Sequence, residues 1–130
     1  MNEKKIIKIA SNTKSYGLKN NYPFKATVKN KLCGDEISVE INKDIDEMRF
    51  ETKSCIFTQA SAAILSNHLK KLNKFGLKKV LNIIIKRLNG ENLNLPVNIK
   101  DLKYLSSKEH KTRKNCIELP FNAVIKAIHD

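Results

Sequence analysis

Apolar residues alternate with polar ones in three short runs between Phe24 and Ser54, and beyond Cys55 the spacing lengthens to that of helices. This change of period restricts the fold more than any other feature of the chain. Phe24, Ala26 and Val28 predict a first strand reaching to Leu32. Ile37, Val39 and Ile41 predict a second over 36–42, and Met48, Phe50 and Thr52 a third that ends near Ser54. A period of two puts each trio on one face of its strand. Cys33-Gly34-Asp35 and Lys43-Asp44 read as tight turns, so the strands form an antiparallel meander with one apolar face. That face must be buried, and the rest of the chain supplies helices to do it.

Ile6, Ile7, Ile9 and Ala10 suit a short amphipathic helix over 3–10, followed by a polar loop from Ser11 to Pro23. Ile64, Leu65, Leu69 and Leu72 predict a helix over 58–72, with Thr58 as its cap. Leu77, Val80, Leu81, Ile84, Ile85 and Leu88 form the broadest apolar stripe, which stops at Asn89-Gly90. Ile99, Leu102 and Leu105 allow a short helix over 98–105, and 106–114 is polar and basic. Ile117, Phe121, Val124, Ile125 and Ile128 define a closing helix with Pro120 in its first turn. The expected fold class is α+β, a three-stranded antiparallel sheet packed against about five helices. No internal repeat or boundary divides the chain, so 1–130 reads as a single domain.

With 130 residues, 41% of them hydrophobic and 29% charged, the chain can bury a core without staples. No apolar run approaches a membrane span, and the N-terminus lacks the apolar core of a secretory signal. The cytoplasm is the expected location. Three cysteines, with no Cys-x-x-Cys pair, argue against a disulfide framework and for a reducing compartment. The net charge of +12 raises two options, nucleic acid or an acidic protein partner. The lysines are scattered and no aromatic residues are interleaved with them, which argues against nucleic acid. Lys108, Lys111, Arg113 and Lys114 read as a solvated loop or, more sharply, as a docking surface for an acidic partner.

Cys33 and Asp35 sit at a strand turn, while Cys55 and Cys116 each open a predicted helix. Partial positive charge at a helix start favours the thiolate, the form that binds metal and attacks sulfur. If the sheet packs on the helices, one end of the domain can gather three thiolates and a carboxylate, a set suited to Zn²⁺ or to iron in a cluster. Free cysteines are also common packing residues. A carboxylate beside Cys33, and Ser54 and Thr58 flanking Cys55, fit a site better than a core. His110 lies in the basic loop and would approach a metal only if that loop folds back. His68 reads as a core-edge residue. No Ser/His/Asp or Cys/His spacing suggests a hydrolase, no glycine-rich phosphate loop is present, and a cysteine nucleophile would lack a general base.

Three stretches, Cys33-Gly34-Asp35, Cys55-Ile56-Phe57-Thr58-Gln59-Ala60-Ser61-Ala62 and Arg113-Lys114-Asn115-Cys116-Ile117-Glu118-Leu119-Pro120-Phe121, resemble in order the three motifs of the NifU/IscU/SufU scaffold family. The likeness leans to the SufU branch. Asn115 stands where IscU proteins have a histidine, Arg113 matches an arginine of SufU-like proteins, and the chaperone motif of IscU is absent. Lys31 and Ser54 depart from a proline and a glycine common in the family. The resemblance implies an iron–sulfur cluster assembly scaffold that binds zinc or a nascent [2Fe–2S] cluster and accepts sulfur from a SufS-like cysteine desulfurase. Recipients would be apo iron–sulfur proteins. It implies no enzyme, or at most a zinc-dependent sulfurtransferase. Cys33 would be the sulfur acceptor and Cys55 and Cys116 would hold the ion. Asp35 would be the exchangeable oxygen ligand, and Arg113 would pair with Asp35 or an incoming persulfide. The alternative is a zinc-stabilised basic module binding RNA or DNA.

Overall fold

The computed structural model describes residues 3–32 and 34–129. Strands β1 (Phe24–Lys29), β2 (Glu36–Ile41) and β3 (Met48–Lys53) form an antiparallel sheet in the order β1-β2-β3. The register sets the apolar positions in rows: Phe24 beside Ile41 and Met48, Ala26 beside Val39 and Phe50, Val28 beside Ile37 and Thr52. Ile37, Val39, Ile41, Met48 and Phe50 are all buried. A one-residue slip would turn every one of them to solvent, so the pattern itself fixes the pairing.

The helices are α1 (Glu3–Ala10), α2 (Ile56–Asn67), α3 (Leu69–Phe75), α4 (Leu77–Leu88), α5 (Lys100–Leu105) and α6 (Lys114–His129), with a short 3-10 helix over Lys108–Arg113. The fold is thus α+β, as expected. Helix α6 lies across β1 and β2 and packs against α2 and α4, while α2 packs on α1. Ile117, Phe121 and Val124, spaced i, i+4 and i+7, are wholly buried and form its inward stripe. Each such side chain removed from water contributes roughly 1.5–3 kcal/mol. Helix α4 has the predicted bounds and buries Leu77, Val80, Leu81, Ile84 and Leu88. None of the helices among the described residues is long and apolar enough to cross a membrane.

Three stretches differ from expectation. The helix predicted over 58–72 starts two residues earlier, and it breaks at His68, which is non-helical (φ −128°, ψ 23°) and half-buried. Asn67 and His68 are weak helix formers, so the burial of Leu69 and Leu72 can redirect the chain at small cost. The basic stretch before α6 is not a solvated loop throughout, because it winds into the 3-10 helix around a fully buried His110. Helix α6 begins at Lys114, so Pro120 stands inside it rather than in its first turn.

The loop before β1 also carries more structure than its polarity suggests. The Gly17 N–H donates to the Phe50 carbonyl at 2.7 Å and the Phe50 N–H to Ser15 at 3.1 Å, so this segment pairs with the free edge of β3. The Arg49 guanidinium donates to the carbonyls of Lys14, Tyr16 and Gly17. Buried Glu40 accepts the N–H groups of Lys19 and Asn20 at 2.6 and 2.8 Å. A strand edge that would otherwise invite pairing with another chain is thereby covered.

Candidate metal centre

Asp35 immediately precedes β2, and Lys53, at the end of β3, is the register partner of Glu36. Antiparallel pairing therefore brings Asp35 and the residues after Lys53 to the same end of the sheet. There Cys55 is the N-cap of α2, with extended backbone (φ −71°, ψ 166°). Cys116 lies in the first turn of α6, which crosses the sheet at that end. One oxygen of Asp35 and the two sulfurs all lie within 4.8 Å of one another. Asp35 is 9% exposed, and both cysteines are free and half-buried. The turn before Asp35 is closed by Asn30 N–H to the Asp35 carbonyl at 2.7 Å and Gly34 N–H to the Asn30 carbonyl at 2.8 Å. Gly34 holds φ at 78°, a region where a side chain would be strained. Cys33, the fourth expected donor, lies outside the described residues.

Proline lacks an N–H, so Pro120 cannot donate to the carbonyl four residues back, that of Cys116. The Thr58 hydroxyl serves it instead, at 3.0 Å, and lies 3.2 Å from Asp35 Oδ2 as a second acceptor for the same hydrogen. One turn on, the Ser61 hydroxyl donates to the Ile117 carbonyl at 2.6 Å. The Cys55 N–H, an orphan donor at the start of α2, points to Asp35 Oδ2 at 3.4 Å. Thr58 is thus no helix cap; fully buried, it joins Asp35, α2 and α6. Sequence reading missed this role. A proline four residues after a candidate cysteine was the available signal, since it predicts a free carbonyl at the site.

The Cys116 thiol is pushed up to about 12, first by burial, then by its hydrogen bond to Cys55 and the charges of Cys55 and Asp35. The expectation that a helix start would favour its thiolate is therefore corrected: burial and two acidic neighbours outweigh the helix field. A bound cation inverts that balance, because it replaces the proton as the positive partner. Two sulfurs and a carboxylate at this spacing fit a thiophilic ion.

Arg113 makes no ion pair with Asp35 among the described residues. Its guanidinium lies over the Phe57 ring, 5.4 Å from the centroid. Behind Phe57, the His110 ring packs edge-on at 5.3 Å and Tyr104 packs on His110 at 5.1 Å. The Lys5 ammonium sits 4.2 Å over Tyr104. A column of three rings with a cation at each end thus runs from α1 to the residue three before Cys116. His110 belongs to this column and not to the donor cluster; its Nδ1 lies 3.1 Å from the Leu105 carbonyl. His68 and His129 are also outside that cluster.

Over residues 1–113 the chain matches the family model of the NifU-like N terminal domain. That match stops three residues before Cys116. The fold superposes with a TM-score of 0.76 on the N-terminal part of a nitrogen-fixing NifU-like protein from Brucella abortus, at 25% identity over 97% of this chain and 90% of that one. It superposes equally, at 0.76, on a protein from Fervidobacterium islandicum AW-1 described as an iron–sulfur cluster assembly scaffold for the SUF system. There the identity is 21% over 95% and 93% of the two chains. A hypothetical protein of known structure shares the fold at 0.74, with 19% identity over 98% of this chain and 96% of that one. No curated protein matches the chain in sequence.

Proposed function

The chain belongs to the NifU-like N-terminal domain family, and from that membership we propose that it is an iron–sulfur cluster assembly scaffold of the SufU type. The observation that carries the proposal is the convergence of Asp35, Cys55 and Cys116 within 4.8 Å at the end of the sheet. The cargo is a nascent cluster or a zinc ion held by Cys55, Cys116, Asp35 and Cys33. A metal ion supplies one thing to such a site: it keeps the thiols deprotonated.

Sulfur arrives on the persulfide of a cysteine desulfurase. The Cys33 thiolate attacks the outer sulfur of that persulfide, and a new S–S bond forms on Cys33. The donor's own S–S bond breaks, and its cysteine leaves as the thiolate. No external oxidant or reductant enters this step. Arg113, whose guanidinium Phe57 holds near the Cys116 turn, supplies positive charge to the anionic sulfur in transit. Asp35 is the hardest donor and the first to exchange when the cargo leaves.

The test is anaerobic reconstitution with iron and a desulfurase, followed by metal analysis, absorbance and transfer to an apo-ferredoxin. Visible absorbance that passes to the ferredoxin supports the scaffold. A chain that takes up neither metal nor labelled sulfur is no scaffold.

A further inference from the structure

Leu32 is 88% exposed, against 52% for Ile7, 44% for Tyr16 and 41% for Phe75, the other exposed large apolar residues among those described. It stands on the turn leading to the donor cluster, three residues before Asp35. Its N–H donates to Asn30 Oδ1 at 3.0 Å, and the bonds from Gly34 to Asn30 and from Asn30 to Asp35 close the same turn. An aliphatic side chain is therefore displayed on a tied turn, with its apolar surface almost wholly in water.

Three cations stand close in sequence to this turn and to the two cysteines of the cluster. Lys31 adjoins Leu32, Lys53 lies two residues before Cys55, and Arg113 lies three before Cys116; all three are exposed. Among the described residues none of them has a carboxylate partner. An ion pair at this end of the sheet joins Lys29 to Glu36 at 3.7 Å and so engages the acid in register with Lys53. Arg113 is also pre-placed, because the column of Phe57, His110 and Tyr104 backs its guanidinium. A held arginine and a free apolar side chain, each within three residues of a donor in the same cluster, offer a partner one charged anchor and one apolar contact, and arginine is a residue type that carries much of the binding at interfaces.

We propose that the rim of this centre is a docking surface for a protein that presents carboxylates around an apolar socket, with Leu32 entering the socket and Lys31, Lys53 and Arg113 meeting the carboxylates. The inference rests on the scaffold reading and names the partner surface that this reading needs. Charge complementarity selects the acidic partner: the rim is cationic, and the chain as a whole carries +12. A protein is favoured over nucleic acid because the exposed anchor is aliphatic and offers no flat face for a base.

The experiment measures the affinity of the full chain for a cysteine desulfurase by biolayer interferometry between low and high NaCl, with sulfur labelling in parallel. The variants are Leu32→Ser and the pair Lys31→Glu/Lys53→Glu, with Lys78→Glu/Lys79→Glu on α4 as a charge-matched control. Each rim variant is expected to weaken binding about tenfold or more while its metal content stays at the parental level. The control should bind as the parent does, and parental binding should weaken as salt rises. Equal losses in rim and control variants, or rim variants that bind and label normally, overturn the docking surface and leave the scaffold reading standing. Rim-dependent binding without any sulfur transfer supports the surface and removes the sulfur-acceptor reading. A parent that does not bind overturns the docking surface, and the scaffold reading falls with it only if that parent also takes up neither metal nor labelled sulfur. If the rim variants instead lose binding to a single-stranded RNA or DNA oligonucleotide while the desulfurase binds unchanged, the face belongs to nucleic acid and the proposal falls.

Discussion

The Thr58 hydroxyl lies 3.0 Å from the Cys116 carbonyl, which Pro120 leaves without its helical donor. One side chain on α2 thus completes the backbone bonding of α6 at a candidate ligand, and it reaches Asp35 as well. The missing proline N–H is tolerated inside a helix because a neighbouring helix supplies the bond.

This arrangement predicts a coupling. Thr58→Val keeps the shape and removes the hydroxyl, leaving a buried carbonyl unpaired, and should cost about 1–3 kcal/mol. In a Pro120→Ala background the restored N–H serves that carbonyl, so the cost of Thr58→Val should shrink by about 1 kcal/mol. Urea unfolding of the four proteins measures it. Strictly additive losses would mean that the two residues do not share the carbonyl.

Metal uptake should release protons. With the Cys116 thiol pushed up to about 12, the metal-free site holds that proton at neutral pH, and an incoming ion must displace it. Zinc affinity should therefore rise about tenfold per pH unit for each proton displaced. The sign for stability is the opposite. The folded metal-free protein holds this proton more tightly than the unfolded chain, whose thiol has the ordinary value of 9.0. Its contribution is present below pH 9 and is lost as pH climbs from 9 toward 12. Calorimetry in buffers of different ionisation heat counts the protons, and a pH-independent affinity would contradict the ligand role of Cys116.

Asp35→Ala should lengthen the life of a reconstituted cluster, since the most exchangeable donor is gone. The decay of visible absorbance in air reads it directly. Decay as fast as in the parent counts against this role.

Cys33→Ser and Cys116→Ser should fail differently. The first is expected to keep much of its metal and lose labelled sulfur from a desulfurase. The second is expected to lose metal first, and with it the stability that bound metal adds. If labelling is lost in Cys116→Ser and kept in Cys33→Ser, the assigned roles are reversed.

His110→Phe should leave metal content unchanged, at a stability cost of no more than about 1–3 kcal/mol. Among the described residues the buried His110 Nε2 has no hydrogen-bond partner, with a Glu109 carboxylate oxygen 3.8 Å away, so an apolar ring of similar size removes one buried polar atom but leaves the Leu105 carbonyl without its Nδ1 donor. Loss of metal in this variant would place His110 in the site after all.

Much of this protein was legible in one dimension, because its signals are periodic and local. Alternation at Ile37, Val39 and Ile41 and at Met48 and Phe50 set the strands and their inward face, since a period of two allows one burial. The stripe of α4 and its Asn89-Gly90 stop gave that helix its bounds. The pairing of Cys-Gly-Asp with the two later cysteines pointed to Asp35, Cys55 and Cys116 as one group. What the sequence left open depends on contacts between distant residues. That Thr58 serves a carbonyl of α6, that Arg113 rests on Phe57 rather than on Asp35, and that His110 is buried between two rings are decided by how α2, α5 and α6 dock. The proton held by Cys116 is of the same kind. Sequence alone placed that cysteine at a helix start, where the field favours the thiolate. The tertiary structure half-buried it beside Cys55 and Asp35, where partial burial and neighbouring charge exceed the field of one helix end.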